Sequence, residues 1–197
     1  MKKLLLLILL TFTTIASANE ELLSFPFTPD NVNDWRYFSD QVMGGVSEGQ
    51  VSLEQDGDKV FIRLSGNVRT DNNGGFIQLR TSTSLSNKPL MFKLLRNSKK
   101  EGKKLKGIRL QVKGNGEKYH IFIQTTIFYS LPTGYKIATF DTSPNWETVE
   151  IPFNKFKKLK DNIDSNINAK DIKTFGIVAY GRDFKSDLSV SSVEFYY

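Results

Sequence analysis

Apolar residues recur at every second position along most of this chain, with polar residues between them. Val60, Ile62 and Leu64 share one side of Lys59 to Leu64, and Ile108, Leu110 and Val112 alternate with Arg109, Gln111 and Lys113. In Gly75 to Thr81, Phe76, Gln78 and Arg80 fall on one face and Ile77 and Leu79 on the other. A period of two is that of a half-buried β-strand. Further strands are predicted over Gln50 to Glu54, Tyr119 to Ile127, Tyr135 to Phe140, Trp146 to Ile151, Thr174 to Tyr180 and Ser189 to Tyr197. D-G-D, N-N-G-G and G-N-G-E separate them as turns.

Helical periodicity is scarce. Pro152 to Lys160 predicts a turn or two with Phe153 and Phe156 inward, and Asn168 to Ile172 another. About ten short strands with regular turns predict an all-β fold, a two-sheet antiparallel jelly-roll sandwich. The Asn/Asp-rich stretch from Asp161 to Asp171 reads as a loop inside one domain.

The N-terminus departs from this pattern. Lys2 and Lys3, the apolar run Leu4 to Ile15 and Ala16-Ser17-Ala18 predict a signal peptide over residues 1–18. The run is shorter than the ~20 residues of a membrane span. Residues 19–197 are then expected to be one exported domain, periplasmic or secreted, with no transmembrane span. Absence of cysteine excludes disulfides, thiolate metal sites and a cysteine-linked lipid. The formal charge of +6 becomes +4 without Lys2 and Lys3 (6 − 2). Its basic runs, Arg96 to Lys106 and Phe156 to Lys160, lack interleaved aromatics, which argues against nucleic acid.

The stretch D-Q-V-M-G-G-V-S, Asp40 to Ser47, is the most unusual. It has no lysine after its glycines and leads into a strand, so it is no phosphate loop. Ser47 would need a base to act as nucleophile, and the sole histidine, His120, lies in a distant strand. Asp40, Glu48, Asp56, Asp58, Asp71, Asp141, Asp183 and Asp187 show no spacing that sets up paired carboxylates. D-G-D and D-N-N-G hold calcium-type donors, but ordinary turns use the same residues. The motif itself predicts a strand-turn-strand corner. Gly44 and Gly45 take angles closed to other residues, Val42 or Met43 enters the core, and Asp40 and Ser47 bond the turn.

Aromatic rings can cover the apolar face of a pyranose. Trp35, Tyr37, Tyr119, Phe128, Tyr129, Tyr135, Trp146 and Tyr180 are candidates, although Trp146 beside Val149 and Ile151 reads as core. The polar strand residues Gln78, Arg80, Arg109, Gln111 and Gln124 are candidates for one sheet face.

W-R-Y-F-S-D-Q-V-M-G-G-V-S (Trp35 to Ser47) resembles the W-x-x-x-x-D-x-V-M-G-G-x-S hallmark of the complex I intermediate-associated protein 30 family. N-G-G-F-I-Q-L-R (Asn73 to Arg80), G-I-R-L-Q-V-K-G-N-G-E-K-Y (Gly107 to Tyr119), W-E-T-V-E-I-P-F-N-K-F (Trp146 to Phe156) and F-G-I-V-A-Y-G (Phe175 to Gly181) continue the likeness. The resemblance implies a galactose-binding-like jelly roll and a chaperone-like, non-catalytic role in assembling respiratory complex I. It places Trp35, Asp40, Met43, Gly44, Gly45, Ser47, Gly74, Gly75, Phe76, Arg80, Gly114, Gly116 and Tyr119 on the family pattern. An exported member would meet only the outer face of such a complex. The expectation is therefore a binding protein without catalytic residues, cofactor or metal, whose partner is a protein or membrane complex. The alternative partner is an envelope or extracellular glycan.

Overall fold

A computed structural model describes residues 22–82, 105–125, 135–159, 167 and 172–197. Twelve strands are present among them: β1 (Leu22–Pro26), β2 (Trp35–Ser39), β3 (Glu48–Asp56), β4 (Lys59–Val68), β5 (Phe76–Ser82) and β6 (Gly107–Gly114). They continue with β7 (Tyr119–Thr125), β8 (Tyr135–Phe140), β9 (Glu147–Pro152), β10 (Lys157–Lys158), β11 (Ile172–Tyr180) and β12 (Phe184–Tyr196). β1, β2 and β10 add to the strands legible in the sequence, and β10 lies within the stretch Pro152 to Lys160 predicted as helical turns. The other described elements are lone 3-10 turns at Val32–Asp34, Asp40–Met43, Asp71–Asn73 and Phe153–Lys155. Phe153–Lys155 falls where a helical turn is predicted, whereas Phe128, Tyr129 and most of Asn168 to Ile172 lie outside the described residues.

The strands form two antiparallel sheets. Sheet A runs β3-β4-β12-β6-β9, with β1 paired to the C-terminal half of β12. Sheet B runs β10-β8-β7-β11-β5-β2. Alternation sends every second side chain between the sheets. Ile62 and Leu64 of β4, Ile108, Leu110 and Val112 of β6 and Leu188, Val190, Val193 and Phe195 of β12 enter from sheet A. Ile77 and Leu79 of β5, Ile121 and Ile123 of β7 and Phe175, Ile177 and Ala179 of β11 enter from sheet B. Trp35 packs edge-on against Phe27 and Phe175, with centroids 5.2 and 5.9 Å away. Phe153 and Phe156 are buried as predicted.

Each sheet also has an outward face, and the two differ. On sheet A, Arg63 makes two bonds of 2.7 Å to the Asp187 carboxylate, and Arg109 pairs with Glu150. Trp146 lies half-buried on this face, against Phe61 and under Lys59, rather than in the core. It has apolar neighbours in sequence, but it lies just before β9 begins at Glu147, outside the strand alternation.

Candidate functional site

The glycine-pair motif folds around a buried carboxylate. β2 ends at Ser39, and Asp40–Met43 makes one 3-10 turn closed by Gly44 at φ +87°, a conformation cheap only for glycine. Asp40 is fully buried. Its Oδ1 accepts the Ser47 N–H at 2.9 Å, and its Oδ2 accepts the Ser47 hydroxyl at 2.5 Å. Oδ2 also accepts the Gly75 and Phe76 N–H groups at 2.5 and 3.1 Å. Burial pushes the Asp40 pKa up, but these bonds from Gly75, Ser47 and Phe76 outweigh it and hold the carboxyl below its ordinary value. A Cβ on Gly45 would lie 2.3 Å from Asp40 Cγ, and one on Gly74 would lie 2.5 Å from Oδ2. The Ser47 oxygen in turn accepts the Arg69 N–H at 2.9 Å. One carboxylate thereby joins the end of β2, the start of β3 and the loop into β5.

Two parts of the sequence expectation are corrected here. Val42 and Met43 do not enter the core: they are 71% and 64% exposed. A 3-10 turn presents them to solvent because its inward side is taken by the carboxylate. Gly45 keeps ordinary backbone angles among the described residues, and its need for glycine is steric rather than conformational.

The family-pattern residues do not converge on one cleft. Asp40, Gly45, Ser47, Gly74, Gly75 and Phe76 meet at this joint. Trp35 packs against the core, while Met43 and Gly44 are exposed. Tyr119 is wholly buried, donating to Asn115 Oδ1 and accepting the Asp187 N–H at 2.8 Å, and burial raises its pKa. Arg80 stands apart, on the outward face of sheet B.

That face is ordered in rows by the strand register. Arg36, Arg80, Gly176, Phe122, Ile137 and Lys157 lie side by side across all six strands. Phe38, Gln78, Val178, His120 and Thr139 form the next row, and Ser82, Thr174, Gln124 and Tyr135 the row on the other side. Gly176 is buried in the middle, where a Cβ would come to 3.2 Å from Gln78 Oε1, and its neighbours Val178, Thr174, Gln124 and Phe122 are buried as well. Phe122 packs between Tyr135 and Tyr180, with centroids at 5.6 and 5.2 Å. The Arg80 guanidinium lies 4.1 Å over the Phe38 ring and donates to the Tyr135 hydroxyl at 3.3 Å. Gln78 is 7% exposed, and its Oε1 is buried with no hydrogen-bond partner. Such an atom calls for a donor.

The sequence places Gln78, Arg80 and Gln124 with Arg109 and Gln111 as one candidate face. The structure divides them: the first three belong to sheet B and the last two to sheet A. Of the aromatic candidates, Tyr135 and Tyr180 reach the sheet B face, and Tyr37 packs toward the core. Arg36, Phe38 and Phe122 were not singled out. Alternation in W-R-Y-F-S would have grouped Arg36 with Phe38, but only the register shows what stands opposite them.

His120 Nδ1 lies 3.0 Å from the Thr139 hydroxyl, and burial followed by the nearby Arg182 charge lowers its pKa to about 4. The Ser47 hydroxyl is bonded to the Asp40 carboxylate and the Arg69 backbone, and the His120 ring to Thr139. Among the described residues no three His, Asp or Glu side chains gather as a metal site. An open groove of about 890 Å³ runs between β8 and β9 past Glu147, Val149 and Lys155, and it shares Ile137, Thr139 and Lys157 with the edge of the sheet B face. No described helix is long and apolar enough to cross a membrane.

Comparison with known proteins agrees with this architecture. The chain is similar in structure to a family 11 carbohydrate-binding module from Clostridium thermocellum in complex with a β-1,3-1,4-mixed-linked tetrasaccharide. The TM-score is 0.59 at 16% identity, over 82% of this chain and 88% of that one. A family 11 module of a C. thermocellum cellulosomal cellulase matches at TM-score 0.58 and 14% identity, covering 82% and 86%. A family 30 carbohydrate-binding module matches at 0.50 and 12%, covering 81% and 80%. No curated protein sequence matches. Residues 25–190 match the model of complex I intermediate-associated protein 30, and the chain belongs to that family.

Proposed function

We propose that the protein is a non-catalytic carbohydrate-binding module working outside the cytoplasm, with the outward face of sheet B as its binding surface. The observation that carries this reading is the row structure of that face. Half-buried rings of Phe38, Tyr135 and Tyr180 stand beside the half-buried guanidinium of Arg80 and the Tyr135 hydroxyl, with Gln78, Gln124 and Thr174 buried in the same rows. A pyranose needs this mixture: an apolar surface for its C–H face and fixed donors and acceptors for its hydroxyls. Structural likeness to carbohydrate-binding modules adds support at the level of the fold.

Affinity electrophoresis or calorimetry on a panel of soluble polysaccharides tests it. Binding should appear for at least one glycan and be lost in Tyr135→Ala and Phe38→Ala, with the melting temperature measured alongside. Retention of full affinity by both variants would remove the sheet B face as the site.

A second reading, assembly of a protein complex, is favoured by one other feature. Val42, Met43 and Val46 form an exposed apolar knuckle at the family motif. Exposed large apolar groups suit a protein contact. Copurification of a defined protein partner that is lost in Met43→Ser would support it.

A further inference from the structure

The two sheets treat their arginines differently. On sheet A, Arg63 is paired with Asp187 and Glu54, and Arg109 with Glu150. On sheet B, Arg36 and Arg80 are direct cross-strand partners on the outward face, and neither has a carboxylate partner among the described residues. Like charges placed directly opposite destabilise a sheet. No outward position of the six described strands of sheet B is aspartate or glutamate, and Lys157 ends the same row. Arg80 is also held in place, over Phe38 and against Tyr135. A fixed guanidinium thus stands beside an exposed one, with no carboxylate partner for either among the described residues. Planar guanidinium groups match the two oxygens of a carboxylate or the oxygens of a sulfate.

We propose that Arg36 and Arg80 select an anionic glycan, one whose sugars carry carboxylate or sulfate groups. The oxyanion sits between the two guanidinium groups. The adjoining sugar ring lies toward the half-buried rings of Phe38 and Tyr135, which the Arg80 guanidinium already touches. This inference rests on the glycan-binding reading and narrows it to a substrate class. Attraction to the ligand offsets the repulsion that the bare pair imposes on the sheet.

The test measures affinity of the full-length mature protein for polygalacturonate, for a sulfated galactan, and for neutral counterparts of each. Arg36→Gln, Arg80→Gln and the Arg36→Gln/Arg80→Gln pair are compared with Lys113→Gln/Lys185→Gln. The lysine control removes the same charge from the opposite sheet. Expected is binding to one or both acidic polymers, at least roughly tenfold tighter than to the neutral ones. Each arginine change should weaken it by about that factor, with little effect from the lysine control. Which polymer binds separates carboxylate from sulfate recognition. Arg36→Gln should at the same time leave the melting temperature equal or slightly higher, which a structural role would not.

Equal binding to neutral and acidic glycans, unchanged by the arginine variants, would overturn the anionic selection and leave the glycan-binding reading standing. Equal weakening by the lysine control would reduce the effect to net charge and also overturn it. Absence of binding to every glycan would overturn both.

Discussion

The Ser47 hydroxyl donates to Asp40 Oδ2 at 2.5 Å while the Ser47 backbone N–H donates to Oδ1 at 2.9 Å, so both ends of one residue hold one buried carboxylate. With the Gly75 and Phe76 N–H groups added, four donors converge on a side chain that has no contact with water. Hydrogen bonds to a charged acceptor are worth more than neutral ones, and orphaned buried donors are costly.

Asp40→Asn should therefore cost roughly 2–4 kcal/mol, because the new NH2 group must face donors rather than acceptors. Ser47→Ala should cost less, since the Ser47 N–H bond survives. Urea unfolding monitored by tryptophan fluorescence measures both.

The glycines of the motif should rank by mechanism. Gly44→Ala places a side chain at φ +87° in open space and should cost about 1 kcal/mol. Gly45→Ala drives a methyl group to 2.3 Å from Asp40 Cγ and should cost clearly more. In an Asp40→Gly background the Gly45→Ala penalty should shrink, as a double-mutant cycle would show. Additive penalties would mean that the carboxylate is not what excludes the methyl group.

Stability should fall in acid in two stages. His120 has its pKa lowered from 6.5 to about 4, so its protonation favours the unfolded chain. Its contribution is full above pH 6.5 and is lost as pH falls from 6.5 toward 4. It amounts to about 3 kcal/mol at most. Asp40, also lowered, contributes above its unfolded value of 3.8 and loses that contribution below it. Denaturation at a series of pH values should show the upper stage vanish in His120→Gln and the lower one remain.

Met43→Ser should leave stability within about 0.5 kcal/mol, because the side chain is 64% exposed. A loss comparable to Asp40→Asn would mean that the apolar knuckle is buried in solution.

Much of the fold was legible because strand alternation is local. Ile77 and Leu79 against Gln78 and Arg80 needed only a period of two, and the structure keeps those faces. The D-Q-V-M-G-G-V-S motif was equally visible, as was the need of Asp40 and Ser47 to bond something nearby. Which groups they bond was not visible: Gly75 and Phe76 lie 35 and 36 residues from Asp40. Val42 and Met43 misled, because an apolar side chain is ordinarily drawn inward, and here the carboxylate holds the inward side of the turn.

By itself the sequence determined the alternation, the turns, the lack of cysteine and the motif that marks the family, all of them properties of neighbouring residues. Only the tertiary structure decided that Arg36 stands opposite Arg80, that Gly176 lies next to Arg80 in the same row, and that Arg63 and Arg109 of the other sheet are paired with carboxylates. Those facts depend on the register between strands far apart in the chain. Register is set by how two sheets close over one core, so no local pattern of residues contains it.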